Sequence, residues 1–205
     1  MHYYRFFQLM FLMLALYLLS GGCVGTTESS RFYTLSPLDL SGADISTKTF
    51  DNEMALGIGP INIPEHLDRH EIVTRTSLNR LEIAEFDRWG GSLKGDFANV
   101  LAENLSILLS TDHLFFYPWR VSAPIDYQIM VDVTRFEGVL GESVSLSTRW
   151  TLISGERDKN VLLMKSSNIN EQTIGKSYED MVAAQSRTLE KLSQEIAEAI
   201  KNISK

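Results

Sequence analysis

The sequence predicts an α/β fold: a single domain in which a mixed β-sheet with an antiparallel meander carries two main amphipathic helices packed on it. The first observation is a series of short segments between residues 31 and 167 with apolar residues at every second position, the period of a half-buried strand. The second is a pair of longer segments whose apolar residues recur at steps of three and four, the helical period. The composition, 44% apolar and 22% charged, is typical of globular proteins, and 205 residues suit one domain.

The first 22 residues have the pattern of a signal peptide. Arg5 gives the start a positive charge, and the run from residue 6 to residue 19 is apolar except for Gln8. A membrane-spanning helix needs roughly 20 apolar residues, whereas this run is shorter and ends in the small residues "SGG". We therefore expect the segment to direct export and then to be removed.

Cys23 is the only cysteine of the chain and directly follows these small residues. The stretch "LLSGGC" resembles the lipobox of bacterial lipoproteins, in which the thiol is acylated and the peptide is cut before the cysteine. More than one acyl chain makes such an anchor stable, since each buried methylene contributes about 0.8 kcal/mol. The alternative is ordinary secretion with cleavage near Gly22, which would leave a lone thiol in an oxidising compartment. We expect residues 1–22 to be a lipoprotein signal peptide and residues 23–30 to be the lipidated N-terminus and tether.

Residues 31–205 are expected to form the folded domain, and its first elements are strands. The segment "RFYTLSP" is rich in β-branched and aromatic residues and predicts a first strand, followed by a polar loop over residues 38–52. The segment "ALGIGPINIP" predicts a strand interrupted at Pro60. The segments "HEIVTRTS" and "NRLEIAEF" predict a hairpin that turns near residues 77–79.

The period changes to that of a helix at "SLKGDFANVLAENLSILLS". Ser92 is the expected N-cap, and Asp96 lies in the first turns, where negative charge is favoured. A short aromatic strand, "LFFYPWRV", follows with Pro118 at an edge or bulge. Three segments, "DYQIMVDVTRFEGVL", "SVSLSTRWTLIS" and "VLLMKSS", then predict the antiparallel meander with one polar face.

The last element is a long helix over "SYEDMVAAQSRTLEKLSQEIAEAIKNI". Its apolar stripe is narrow, close to a coiled-coil seam, and includes Gln185, Leu192 and Ile196. Two interpretations remain open for this stripe. It packs on the sheet of its own domain, or part of it joins neighbouring subunits.

Charge and cysteine content exclude some classes of function. The formal charge of −7 becomes −8 when residues 1–22 are removed, because Arg5 is lost without an acidic residue. An acidic surface does not attract nucleic acid, so no nucleic-acid partner is expected. With one cysteine, the fold depends on hydrophobic burial and not on disulfides.

Two polar segments are candidate sites. The cluster Glu65, His66, Asp68, His70 and Glu71 has the residue types of a zinc site. Pro60 and Pro64, which precede the cluster, favour an irregular loop of solvated charges, so we predict no metal site and no cofactor.

The second segment is Asp87, Arg88 and Trp89. It reads either as a local cap with a packed indole or as an exposed contact edge, since Trp and Arg are enriched at interface anchors. The predicted partner interface therefore consists of Asp87, Arg88, Trp89 and the seam of the last helix. No catalytic residues are predicted, because no serine lies in a nucleophile elbow.

Several stretches together resemble one family, the periplasmic auxiliary lipoproteins of ABC-type transport systems, including the lipoprotein of the paraquat-inducible MCE system. They are "RFYTLSP", "LGIGPINIPEHLDRHEIVTRT", "LEIAEFDRWGGSL" and "VLAENLSILL", in the family's order and at similar spacing. The resemblance implies a mixed-sheet α/β domain with packed helices. It also implies partnership with MCE-family proteins, and their inner-membrane components, that bridge two membranes for lipid movement.

Two classes of function follow. The first is a non-catalytic, lipid-anchored accessory subunit of an intermembrane lipid transport system. A ring-like homo-oligomer of this subunit would match the rings of MCE assemblies. In lipoproteins of this kind an aspartate after the cysteine retains the protein at the inner membrane. Here that residue is Val24, so we expect the periplasmic face of the outer membrane. The second class is an envelope hydrolase or small-ligand binder, which requires a concave pocket with converging polar groups.

Overall fold

The computed structural model describes residues 3–6, 10–11, 28–38, 53–119, 124–155 and 160–204. From residue 28 onward these residues form eight strands and two helices. In chain order they are β1 (Arg31–Tyr33), β2 (Leu56–Asn62), β3 (Glu71–Ser77), β4 (Arg80–Trp89), α1 (Leu93–Leu109), β5 (Leu114–Phe116), β6 (Tyr127–Gly138), β7 (Ser143–Ser154), β8 (Val161–Gln172) and α2 (Tyr178–Ile203).

The strands form two mixed sheets, which confirms the predicted α/β class. In the smaller sheet the order is β1-β4-β3, with β1 parallel to β4 and β3 antiparallel to β4. In the larger sheet the order is β5-β2-β6-β7-β8, with β2 parallel to both β5 and β6. The predicted meander is β6-β7-β8, and the predicted hairpin is β3-β4 with Leu78 and Asn79 at its turn. The sequence patterns predict one sheet, whereas the strands of the structure form two separate sheets.

Both helices begin where the sequence predicts. Ser92 caps α1, because its hydroxyl oxygen accepts a hydrogen bond from the Gly95 amide at 3.3 Å. Ser177 caps α2 in a capping box with Asp180. At its other end α1 stops at Ser110, which adopts the left-handed conformation with φ 54°.

Helix α2 is buried over a broader face than the narrow seam that its sequence suggested. It packs against α1 and also against β6, β7 and β8. Small and polar residues between the apolar positions are therefore buried as well. The buried residues of α2 are Met181, Val182, Ala184, Gln185, Ser186, Thr188, Leu189, Leu192, Ser193, Ile196, Ala197 and Ile200.

The core lies between the larger sheet and the two helices. Trp150, Phe97 and Phe136 are its largest buried side chains, and each is at most 1% exposed. The rings of Phe97 and Phe136 meet edge to face with centroids 5.4 Å apart, which joins α1 to β6.

The connections cluster at the two ends of the larger sheet. The turn of β3-β4, the β6-β7 turn and the loop between β8 and α2 lie together, and we call this the hairpin end (residues 77–80, 139–142 and 173–176). Thr173 donates its amide to Glu142 at 3.0 Å, and Arg75 donates to the carbonyl of Leu78 at 2.9 Å and to the Glu137 carboxylate at 2.7 Å. The starts of β2, β5 and β6 and the end of β7 lie at the opposite end, which we call the cleft end (residues 53–55, 111–113, 124–126 and 154–155).

Candidate functional site

The predicted lipidation site, Cys23, lies outside the described residues, as does most of the tether. The chain is described from Glu28, and its first strand begins at Arg31. The predicted tether would therefore join the folded body at β1, and the contacts of β1 decide how firmly this strand is held.

Asp87 is the centre of the contacts that hold β1. It is 3% exposed, and its carboxylate receives two hydrogen bonds from Arg31, at 2.7 and 2.8 Å, and one from the Tyr33 hydroxyl at 2.7 Å. The hydrogen bonds from Arg31 hold the pKa of Asp87 below its usual value, burial opposes them, and Tyr33 adds to the lowering. Burial, and then Asp87 itself, raise the pKa of Tyr33. These contacts fix β1 on β4 through a bidentate ion pair.

The burial of Asp87 and Trp89 corrects the expectation that residues 87–89 form an exposed contact edge. Trp89 is 4% exposed and belongs to the core, as the packed-indole interpretation holds. Arg88, expected to be mostly exposed, is only partly exposed, and its Nε atom is buried without a hydrogen-bond acceptor among the described residues. It pairs in register with Phe32 of β1, whose side chain is 66% exposed. The large exposed side chain beside residues 87–89 is therefore Phe32 of β1.

The three candidate interface residues of α2 are also buried in their own domain. Leu192 and Ile196 are 0% exposed, and Gln185 is 1% exposed. The Gln185 side-chain amide donates to the carbonyl of Phe136 at 2.9 Å, which ties α2 to β6. The structure thus supports the interpretation in which the stripe packs on its own sheet, because a fully buried side chain cannot contact another subunit while the fold is intact.

The candidate metal ligands of residues 65–71 are not brought together. Among the described residues no group of three or more His, Cys, Asp and Glu side chains is placed to hold a metal ion. Glu71 instead accepts a hydrogen bond from Arg69 at 2.9 Å, and this bond is the first cause of its lowered pKa. Likewise, no helix in the described part of the chain is long and apolar enough to cross a membrane.

Sequence reasoning missed an exposed edge of the larger sheet. Strand β8 pairs with β7 on one side, and among the described residues no strand pairs with its other side. Its Val161 and Met164 side chains are 58% and 60% exposed, and Leu162 is 38% exposed. The segment "VLLMKSS" predicts a strand, but it does not reveal that this strand extends to Gln172 or that it lies at the edge of the meander.

An open cleft of about 530 Å³ lies at the cleft end, between the starts of β2, β5 and β6. Glu53, His113 and Asp126 supply its polar atoms, beside the aromatic rings of Phe115 and Tyr127. Asp126 is engaged structurally, because it accepts a hydrogen bond from the Ala55 amide at 2.8 Å. The described lining thus combines two carboxylates, an imidazole and two aromatic rings, groups that can form hydrogen bonds with a ligand or partner and pack against it.

Comparisons with known proteins agree with this fold. Two crystal structures are similar over nearly their whole length. An uncharacterized protein has a TM-score of 0.67 and 20% identity, covering 84% of this chain and 99% of that one. Protein XCC0632 from Xanthomonas campestris, of the DUF330 family, has a TM-score of 0.64 and 13% identity, covering 85% and 99%. No curated protein sequence matches this chain.

A family model provides the sequence evidence. The model for the ABC-type transport auxiliary lipoprotein component matches residues 33–197, from the end of β1 into the last turns of α2. Because the match spans most of the chain, the protein belongs to the family of ABC-type transport auxiliary lipoprotein components.

Proposed function

We propose that this protein is a non-catalytic, lipid-anchored accessory subunit of an intermembrane lipid transport system of the MCE and ABC type, held at the periplasmic face of the outer membrane. The observation that carries the proposal is the family match over residues 33–197, which begins ten residues after the lipobox-like Cys23. Family membership supports a role beside a transporter. The cysteine supports a membrane anchor, and Val24 after it supports sorting to the outer membrane.

A tethering subunit needs a surface that a partner can reach, and the edge of β8 is the surface we propose. An edge strand presents unpaired backbone amide and carbonyl groups to which an extended segment can add as a further strand. Natural edges are usually protected by charge or proline. Between Val161 and Asn170 the only charged residue is Lys165, and its amino group is held 2.8 Å from Glu195. This charge is thus directed toward α2, and the edge is left unprotected.

The same edge can serve self-assembly into a ring. A ring requires a head-to-tail interface in which two different surfaces of the subunit meet. The larger sheet has two different edges, β8 with 12 residues and β5 with three, so β8 provides one long surface for such a contact. Repeated weak contacts around a ring would then add up to firm capture of a ring-shaped MCE partner.

The test is a charge placed on this edge. We expect Met164→Lys to lower co-purification with an MCE-family partner, or self-association in light scattering, while circular dichroism stays unchanged. An exposed position tolerates the change within about 0.5 kcal/mol. The matched control is Gln194→Lys, which adds the same charge at an exposed position of α2.

Unchanged capture and unchanged assembly in a folded Met164→Lys protein would remove β8 from the interface. Failure of the wild-type protein to co-purify with any MCE-family protein would contradict the assignment to that system. A hydrolase or small-ligand binder would then become the better hypothesis.

A further inference from the structure

The two most exposed large aliphatic side chains of the described folded body lie at the same end of the molecule. Leu78, in the β3-β4 turn, is 89% exposed, and Ile174, in the loop between β8 and α2, is 88% exposed. Turns are usually occupied by Gly, Pro, Asn, Asp and Ser, so aliphatic residues at two neighbouring tips call for a functional reason. Single exposed aliphatic side chains are common on protein surfaces, whereas apolar side chains grouped on one surface mark contacts with other proteins or with membranes.

Hydrogen bonds place both tips at the hairpin end. Arg75 joins the carbonyl of Leu78 to Glu137 near the end of β6, and Thr173 joins the loop of Ile174 to Glu142 in the next turn. Strand β3 of the smaller sheet contacts β6 of the larger one, and the Arg75–Glu137 pair places that contact at this same end.

The start of the folded chain leads toward the same end. Strand β1 is parallel to β4 and its first residue, Arg31, lies level with Asp87, so the N-terminal end of β1 points toward the start of β4 at Arg80. Arg31 lies level with Asp87, seven residues from Arg80, which corresponds to at most about 23 Å along the strand. The eight residues from Cys23 to Arg31 reach at most about 29 Å. A lipid on Cys23 can therefore lie at the level of the hairpin tip, but it cannot lie far beyond it.

We propose that the hairpin end faces the membrane and that Leu78 and Ile174 insert into the interfacial layer of a glycerophospholipid bilayer. The inference rests on the lipid anchor of the proposed function and adds an orientation to it. It assigns the cleft end, with Glu53, His113 and Asp126, to the side that faces away from the membrane.

The charges around the tips indicate apolar insertion and not electrostatic adsorption. Arg80 and Lys176 are exposed cations on these loops, but Glu82, Glu142 and Glu179 are exposed nearby. The surface is therefore mixed in sign, and its contact with lipid should persist at high salt, which screens exposed charges.

Fluorescence can test the orientation in the full-length lipoprotein. Leu78→Cys, Ile174→Cys and, as the control, Asp112→Cys at the cleft end each receive an environment-sensitive thiol dye; Asp112 is also exposed but lies at the opposite end of the sheet and outside the proposed β8 contact edge. Acylated Cys23 does not react with the dye. The vesicles contain phosphatidylethanolamine, phosphatidylglycerol and a spin-labelled phospholipid quencher.

We expect a blue shift and loss of fluorescence at positions 78 and 174, and neither at position 112. Both changes should be retained in 0.5 M salt, because a Debye length of about 4 Å leaves little long-range attraction between exposed charges. Protein that floats with the vesicles while both tip dyes stay unquenched would overturn the orientation alone. Protein that does not float would refute the anchor and the orientation with it. A concentration-dependent blue shift without quenching would show that a second copy, and not lipid, covers the tips, and would also overturn the proposal.

Discussion

At the scale of single residues, Asp87 explains how the first strand is held. Its carboxylate is almost fully buried and receives three hydrogen bonds from Arg31 and Tyr33, which lie more than 50 residues earlier in the chain. The sequence segment around Asp87 suggested a local cap or a contact edge. Its real partners are distant in sequence, and spacing along one segment cannot reveal them.

Asp87→Asn should destabilise the fold by about 1–2 kcal/mol at pH 7, because Arg31 loses a charge-assisted bidentate acceptor while remaining half exposed to water. The folded pKa of Asp87 is lowered, so its contribution is fully present above the unfolded pKa near 4. That contribution is lost as the pH falls through the lower folded value. Urea unfolding from pH 7 to pH 2 measures the difference between the two proteins.

The control for this prediction is Glu28→Gln, which removes the other, exposed partner of Arg31. A surface pair of this kind should change stability by less than about 1 kcal/mol. If the Asp87→Asn protein is as stable as the wild type, or if the difference grows as the pH falls, the role given to the Asp87 carboxylate is wrong.

At the scale of secondary-structure elements, the two interpretations of α2 predict different results. Packing within its own domain gives a stability that does not depend on protein concentration, whereas contact between subunits gives one that does. Leu192→Ala should lower the free energy of unfolding by about 2–5 kcal/mol, because it removes buried methyl groups from the domain's own core. If α2 packs within one chain, the loss should not depend on protein concentration. Urea titrations at two well-separated protein concentrations measure this.

Glu198→Ala, at an exposed position of the same helix, should stay within about 0.5 kcal/mol of the wild type. A destabilisation by Leu192→Ala that disappears when the protein is diluted would instead show that this position contributes through contact between subunits.

The sequence predicted those elements that depend on local pattern. The β3-β4 hairpin, the β6-β7-β8 meander and both capped helices follow from periods of two and four and from capping residues. The division into two sheets could not be read in this way. It arises from the parallel pairs β1-β4 and β2-β6, each of which joins segments more than 50 residues apart.

The candidate contact surfaces were predicted less well than the fold. Trp89 is a candidate interface residue by its type and Leu192 by its place in a coiled-coil-like stripe, yet both features also occur in cores. The exposed apolar groups include Phe32, the β8 edge and the tips at Leu78 and Ile174. Their exposure depends on which strand is last in each sheet, and that is a property of the tertiary fold.

At the scale of the whole molecule, the proposed anchoring depends on one residue, Cys23. Cys23→Ala should abolish palmitate incorporation and leave an uncleaved precursor or a soluble protein. The control is Val24→Asp, which keeps the acylated cysteine and should still be labelled, but should move the protein to inner-membrane fractions. Labelling and density-gradient separation measure both. An alanine variant that is still labelled and fractionates with the outer membrane would contradict the lipobox interpretation.

The short strand β1 also determines how the molecule carries mechanical load. Any tension between an anchored lipid and a captured partner enters the folded body through Arg31–Tyr33. Because β1 runs parallel to β4, a pull on its N-terminal side acts along the strand axis, so the ladder bonds and the Arg31–Asp87 pair are loaded in shear and must yield together. A pull across the strands would instead open them one at a time. The joint between tether and body thus resists force best in the direction in which an anchor would pull.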